Sequence, residues 1–147
     1  MKLDLSSLEK AIIQMEEALA YCASDLATQD AKLAKHLRAA AIQAFEFSYE
    51  LSYKMIKRYL EMTEGSPATV SEMDFNETIR TAYARGLLRS ELVIWREYRK
   101  ERGTTSHAYN EEKAMSVFED IPAFLLDAQY LLAQLQQRQE RESDQTA

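Results

Sequence analysis

The chain has 147 residues, a length typical of one domain. Hydrophobic residues make up 46% and charged residues 29%, and three glycines and two prolines are too few for a many-stranded fold. The net charge of −6 argues against a general nucleic-acid coat protein, and the single cysteine excludes an internal disulfide. No secretion leader, no ~20-residue apolar run and no Cys/His cluster with metal-ligand spacing is present, so we expect a cytoplasmic protein without membrane span, metal or cofactor.

The charge is unevenly distributed along the chain. Residues 80–102 contain seven basic and three acidic side chains, a net charge of +4 that leaves −10 on the remainder. One interpretation is a solvated helix face with ion pairs at i,i+4 spacing. The other is a nucleic-acid contact surface, for which the candidates are Arg96, Arg99 and Lys100.

The first two predicted helices follow from capping and apolar spacing. Ser6 and Glu9 resemble a capping box, and we expect the helix that they open to run to about Ser24. Residues 31–62 form the longest pattern, with an apolar stripe and a second aromatic face that includes Tyr53. A helix that is apolar on two sides is usually buried on both, by a bundle neighbour or by a second subunit.

The middle of the chain predicts two further helices. After a turn at 63–69, Asp74 resembles an N-cap that opens a helix to Arg85, and Gly86 is suited to end it in a left-handed conformation. Ser90 is then expected to cap the next helix, which reaches Arg102.

The end of that helix and the last helix are marked by small polar residues. Gly103 is expected to follow the helix as a left-handed cap, so that residues 103–109 form a connection. Asn110 is a good start for the last helix, because Glu111 and Glu112 suit the positive end of its dipole. We expect a kink or restart at Pro122 and a frayed polar tail over 138–147. The chain is therefore predicted to be one all-α domain of about five helices.

The stretch RGTTSHAYN, residues 102–110, concentrates polar chemistry in a chain otherwise built for helices. In an uninterrupted helix Arg102 and His107 would point ~140° apart, but a break at Gly103 would let a loop fold His107 back. Arginine suits phosphate oxygens, and histidine moves protons near neutral pH. Together they suit metal-free RNA cleavage, with His107 taking the ribose 2′-OH proton and Arg102 stabilising the transferring group. A symmetric dimer would supply the second proton donor.

An ordinary structural role is the alternative for each of these residues. A lone histidine in a loop is more often a hydrogen-bonded surface residue, and Tyr109 would then be a packing residue. Thr104, Thr105 and Ser106 would bond nearby backbone as loop hydroxyls do. His36, in the long helix, is interpreted as a partly exposed surface histidine.

The spacing of three residues resembles the Arg-x4-His-x-Tyr signature of HepT-type proteins in the HEPN superfamily: four residues separate Arg102 from His107, and one residue separates His107 from Tyr109. Residues 42–61, IQAFEFSYELSYKMIKRYLE, resemble the long helix of the nucleotidyltransferase substrate-binding branch of that superfamily. IRTAYARGLL, residues 79–88, resembles the family's helix and turn before the signature. TSHAYNEEKA, residues 105–114, resembles the signature and the start of the following helix. The resemblance covers roughly residues 5–137, and its combination of signature and long helix is fairly specific.

The resemblance implies a fold, an activity and a partner. The fold is an antiparallel up-and-down helical bundle, a single HEPN-like domain over 1–147 that forms a homodimer with a groove at its interface. The activity is that of a toxin in a type VII-like toxin–antitoxin pair, a metal-independent endoribonuclease that uses Arg102 and His107, with Thr105 and Ser106 supporting the groove. The partner is a cognate minimal nucleotidyltransferase of the MNT type, which acts as antitoxin by transferring AMP to Tyr109.

Two positions depart from the family pattern, and two other functions stay open. Gly103 stands where HEPN ribonucleases commonly have Asn or Asp, and Tyr53 stands where this branch commonly has Trp. The chain could instead be a non-catalytic substrate-binding subunit of a two-component nucleotidyltransferase. A purely structural helical adaptor is the third hypothesis, under which Arg102, His107 and Tyr109 would all be replaceable.

Overall fold

The computed structural model describes residues 2–146, and within that range the chain is all-helical, without a strand. Its seven α-helices are α1 (Ser6–Cys22), α2 (Asp25–Gln29), α3 (Ala31–Thr63), α4 (Pro67–Ser71), α5 (Phe75–Ala84), α6 (Leu92–Thr104) and α7 (Glu111–Thr146), with a 3₁₀ turn at Thr105–His107. The all-helical prediction is confirmed. The number of helices exceeds about five because α2 and α4 are additional helices of five residues each.

Contacts at both ends of the longest helices set their directions. α1 and α7 run in opposite directions, because Leu3 bonds Gln139 while Glu16 bonds Gln129. α3 and α7 run in the same direction, as contacts near their two ends show: Lys35 with Glu111, and Tyr59 with Arg138. No helix within residues 2–146 has the length and apolar character needed to cross a membrane.

An aromatic cluster fixes α6 against α3 and α7. The fully buried ring of Phe124 in α7 lies 5.1 Å from Phe45 in α3 and 5.0 Å from Tyr98 in α6, measured between ring centroids. Trp95, also fully buried, lies 6.0 Å from the same ring. Each such pair adds about 0.5–1.5 kcal/mol beyond the burial of its apolar area. The position of the last turn of α6 relative to α3 is therefore set by this core.

The capping box predicted at the first helix is wrong. The Asp4 carboxylate, just before the helix, accepts hydrogen bonds from the Ser6 backbone N–H (3.0 Å) and hydroxyl (2.6 Å). Ser6 is therefore the first residue of α1 rather than its cap. The helix ends at Cys22, because Ser24 begins a new helix by accepting a hydrogen bond from Ala27 N–H.

The predictions for α3 and α5 agree with the structure. α3 spans 31–63, close to the predicted 31–62, and Asp30 caps it. Asp74 caps α5 by accepting a hydrogen bond from Glu77 N–H at 2.8 Å, as predicted. Gly86 has φ +74°, which confirms the predicted left-handed conformation.

Ser90 does not cap α6, contrary to the prediction. Its hydroxyl donates instead to the buried Asp127 carboxylate at 2.8 Å. The N-cap position belongs to Glu91, which makes no side-chain capping bond.

The last helix begins as predicted but does not restart. Asn110 Oδ1 accepts hydrogen bonds from the Glu112 and Lys113 N–H groups, the capping role expected of it. Pro122 lies inside α7 at an exposed position. Because proline has no N–H, a backbone carbonyl of the preceding turn loses its helical hydrogen bond, and solvent can reach this part of the backbone. α7 is helical to Thr146, which includes most of the segment expected to fray; Ala147 lies outside the described residues.

Candidate functional site

Arg102 lies in the last turn of α6, with its guanidinium turned toward α3. Nε donates to Glu50 at 3.0 Å, Nη2 contacts both Glu50 and Glu46 (3.4 Å), and Nη1 is 3.4 Å from the Thr105 hydroxyl. The hydrogen bond from Arg102 to Glu50 raises the pKa of this guanidinium further above neutral pH. All three guanidinium nitrogens therefore have oxygen partners, and the two carboxylates outnumber the one positive charge.

Gly103 does not end α6, so the break predicted after Arg102 is wrong. The helix continues to Thr104, and its path is extended by the 3₁₀ turn. Threonine hydroxyls hold this path by bonding carbonyls of the preceding turn, with Thr104 donating to Lys100 (3.1 Å) and Thr105 to Arg102 (2.7 Å). Gly103 has no positive φ and accepts an ordinary helical conformation.

Continuous winding separates Arg102 from His107 within one chain. With ~100° per α-helical residue and ~120° per 3₁₀ residue, the two side chains leave the axis roughly half a turn apart. Among the described residues, no hydrogen bond, ion pair or ring contact joins them. The loop that was expected to fold His107 back toward Arg102 is thus replaced by a helical turn.

His107 and Tyr109, by contrast, lie beside each other at the surface. Their ring centroids are 6.2 Å apart, and the Tyr109 side chain is 83% exposed. His107 is exposed as well, and its backbone carbonyl accepts a hydrogen bond from Asn110 N–H. The capped start of α7 therefore holds the backbone of this segment while both rings face solvent.

The remaining predicted site residues separate into buried and exposed groups. Thr105 is buried and touches Arg102, whereas Ser106 is exposed and donates to the Gly103 carbonyl at 3.3 Å. Arg96, Arg99 and Lys100 are all exposed on α6. Of these three, Arg99 lies over an aromatic ring: its guanidinium carbon is 4.6 Å from the centroid of Phe75.

An open groove of about 400 Å³, here called the Arg102 groove, lies between α3, α5 and α6. It is lined by Tyr49, Glu50, Tyr53, Phe75, Arg99, Arg102 and Gly103. Burial raises the pKa of Tyr49 to about 12, so this tyrosine is a neutral hydroxyl at physiological pH. The sequence interpretation missed Glu46 and Glu50; their i,i+4 spacing on one face of the long helix was the available signal.

A second polar cluster, also missed, joins Ser90, before α6, and Tyr98, in the middle of α6, to α7. The Asp127 carboxylate of α7 is 1% exposed and accepts hydrogen bonds from the Tyr98 and Ser90 hydroxyls, with Arg89 3.7 Å away. Burial, followed by the bond to Asp127, raises the pKa of Tyr98. Within residues 2–146 no group of three or more His, Cys, Asp or Glu side chains is arranged to hold a metal ion.

Comparisons with known proteins agree on one family. The model of the family described as "Nucleotidyltransferase substrate binding protein like" matches residues 3–137. A Haemophilus influenzae protein named "Probable ribonuclease HepT" is 38% identical over 132 residues, which cover 90% of this chain and 86% of that protein.

Two solved structures share the fold. One, from Haemophilus influenzae, is described as revealing the fold of a substrate-binding domain of a nucleotidyltransferase; it is 35% identical, has a TM-score of 0.85, and the match covers 90% of this chain and 99% of that chain. The other, a crystal structure of a Thermus thermophilus protein, is 28% identical with a TM-score of 0.66, over 87% of this chain and 98% of that one.

Proposed function

The chain belongs to the nucleotidyltransferase substrate-binding-protein-like family, as its sequence resemblance predicted, and we propose that it is a HepT-like endoribonuclease toxin of a type VII-like toxin–antitoxin pair. The observation that carries the proposal is the exposed pair of His107 and Tyr109, which follows Arg102 in the arginine–histidine–tyrosine signature. The 38% identity to a protein named as a probable ribonuclease supports it.

In the proposed reaction, His107 removes the proton from a ribose 2′-OH, and the resulting oxygen attacks the adjacent phosphorus. The bond from phosphorus to the 5′-oxygen breaks, and that oxygen receives a proton from a second imidazole. The Arg102 guanidinium stabilises the negative charge of the transferring group. Because Arg102 and His107 of one chain leave the helical path about half a turn apart, we propose that a homodimer assembles the complete site from two copies.

The proposed regulator is a cognate nucleotidyltransferase of the MNT type, which transfers AMP from ATP to the Tyr109 hydroxyl and releases pyrophosphate. Exposure of the ring suits attack by that hydroxyl on a bound nucleotide. The product places a bulky anion beside His107, where it repels RNA phosphate and blocks access to the imidazole. The enzyme would thus be switched off without unfolding.

A second candidate function is that of a non-catalytic substrate-binding subunit of a two-component nucleotidyltransferase. It is favoured by the ion pairs of Arg102 with Glu46 and Glu50, which leave little positive charge for an RNA phosphate. Under this function Arg102 organises the surface of α3 and α6, and the protein has no activity on RNA.

The test is RNA cleavage by the purified protein in excess EDTA, before and after incubation with the transferase and ATP. We expect cleavage by the wild type, loss of cleavage after AMP transfer, and retention of cleavage by Tyr109→Phe treated in the same way. If the folded wild type leaves RNA intact while binding the transferase, the substrate-binding function replaces the nuclease. If treated Tyr109→Phe is inhibited as strongly as the wild type, the modified residue is not Tyr109.

A further inference from the structure

Arg99 is the cation of the Arg102 groove that lies over an aromatic ring. Its guanidinium carbon is 4.6 Å from the centroid of Phe75, and Phe75 is itself packed against Tyr53, with ring centroids 5.5 Å apart. Phe75 is 8% exposed, so its ring is fixed in the structure, whereas Arg99 is exposed. Arg99 also lines the groove, and RNA bases stack on the guanidinium planes of arginines.

The charges of the groove favour an uncharged aromatic ligand over a phosphate at Arg99. Glu46 and Glu50 pair with Arg102, while Arg99 has no ion-pair partner among the described residues. Two carboxylates and two guanidinium groups therefore leave this region close to neutral. A polyanion gains little there, but a neutral base keeps its full stacking energy.

Gly103 leaves open space at the same groove. A glycine inside a helix costs about 0.5–1 kcal/mol relative to alanine, and here neither a positive φ nor a crowded neighbour requires it. A Cβ placed on Gly103 would meet no atom within 4 Å. The fold itself does not explain the glycine, whereas close approach of a bound group to the backbone of α6 does.

We infer that the Arg102 groove is a nucleobase subsite, in which an unpaired base of the RNA stacks on Arg99 to form a Phe75–Arg99–base sandwich. This inference rests on the proposed function, because the base bound in the groove would belong to the nucleotide next to the cleaved phosphate. It makes single-stranded RNA the preferred substrate, because a base within a duplex cannot leave its stack to reach Arg99. Among the three predicted RNA-binding residues, it assigns the base-recognising role to Arg99.

The experiment measures binding of a single-stranded oligoribonucleotide to full-length protein that carries His107→Ala to prevent cleavage. In that background, Arg99→Lys keeps the charge but removes the planar guanidinium. The matched control is Arg58→Lys, at an exposed arginine of α3 that does not line the groove. We expect Arg99→Lys to weaken binding about 5- to 100-fold and Arg58→Lys to leave it within about twofold. In a series of oligoribonucleotides, one abasic nucleotide is placed at each position in turn. At one position it should remove the base that stacks on Arg99, so that the Arg99→Lys variant and its parent bind that oligoribonucleotide equally well.

The outcomes separate the subsite from the nuclease. If Arg99→Lys binds every oligoribonucleotide as tightly as its parent does, the contact is not base stacking and the inference fails. The same holds if the variant binds more weakly than its parent at every abasic position. If the base-dependent loss is seen but the wild type does not cleave RNA, the subsite stands and the proposed nuclease fails. If no RNA binds to the folded protein, both fail.

Discussion

Two polar regions along α6 lie in opposite surroundings. Ser90, just before the helix, and Tyr98, at its middle, converge on Asp127, which is 1% exposed. At the end of α6, Arg102 contacts partly exposed carboxylates, and the following His107 and Tyr109 face solvent. Burial decides the difference, because a buried polar group must be paired to be tolerated, whereas an exposed one is held by few contacts and can meet a ligand.

This comparison separates residues that stabilise the fold from residues that are available for chemistry. The Asp127 cluster joins α6 to α7, and the two hydrogen bonds that Asp127 accepts come from Ser90 and Tyr98, outside the 102–110 segment. In that segment His107 and Tyr109 are exposed, and the backbone is held by threonine and asparagine hydrogen bonds. Substitutions in the two regions should therefore affect different measurements.

The largest expected effect is on catalysis. His107→Ala should reduce RNA cleavage by about 10²- to 10⁴-fold, because it removes the group proposed to transfer the 2′-OH proton. Unfolding free energy should change by less than about 0.5 kcal/mol, because the side chain is exposed. His36→Ala is the matched control, since His36 is the other histidine and is also exposed. Cleavage by His107→Ala at the wild-type rate would remove His107 from the reaction.

The next largest effect is on stability, in the Asp127 cluster. Asp127→Ala should lower the free energy of unfolding by about 3 kcal/mol, because it leaves the buried Tyr98 hydroxyl without its acceptor. Urea denaturation measures this loss, and Tyr98→Phe should cost less because the Asp127 carboxylate keeps the hydrogen bond from Ser90 and the nearby Arg89. An Asp127→Ala variant as stable as the wild type would show that the cluster does not hold α6 to α7.

Two glycines, one before α6 and one near its end, should respond to alanine with opposite signs. Gly86→Ala should destabilise the chain by about 1 kcal/mol or more, because φ is +74° and the added Cβ would lie 3.4 Å from Arg138 Nη2. Gly103→Ala should stabilise it by about 0.5–1 kcal/mol, because the position is helical and open. Thermal denaturation of both variants tests the contrast, and destabilisation by Gly103→Ala would mean that the helix does not continue through residue 103.

The smallest effect is a pH dependence at Glu101, which lies next to Arg102 in α6 and is 6% exposed. Burial, followed by the nearby Asp120 carboxyl, raises the pKa of Glu101, so the folded chain binds its proton more tightly than the unfolded chain does. The resulting stability is complete below the unfolded pKa of about 4.3 and is lost as pH rises through the folded pKa.

Glu101→Gln removes this titration and isolates its contribution. Its unfolding free energy should therefore rise relative to that of the wild type between pH 4 and pH 7, as measured by urea denaturation at several pH values. A difference between the two proteins that stays constant over this range would contradict the raised pKa.

Helix positions that depend on neighbouring residues were predictable from the sequence. Asp74, Gly86 and Asn110 act through backbone groups within a few residues, and all three took their predicted roles. Ser90 failed because a carboxylate 37 residues away competes for its hydroxyl. Gly103 failed because threonine hydroxyls prolong the helix, although glycine by itself suggested an end.

The candidate site was predictable in its residues but not in its arrangement. The signature identified Arg102, His107 and Tyr109, and their catalytic and acceptor roles stay predictions. Their relative orientation depends on whether the helix ends after Arg102 or continues. The local sequence did not distinguish these two conformations. The carboxylate partners of Arg102 come from a helix some 50 positions earlier, so no local pattern could pair them.

The sequence by itself determined that this protein is a helical member of its family, because apolar periodicity, helix-forming residues and a spaced signature are all local properties of the chain. Only the tertiary structure decided which polar residues are buried and which are exposed for chemistry. Packing of α6 against α3 and α7 places Asp127 out of solvent, brings Glu46 and Glu50 to Arg102, and leaves Tyr109 83% exposed. These outcomes depend on residues distant in sequence, and contacts of that kind are fixed only when the helices pack together.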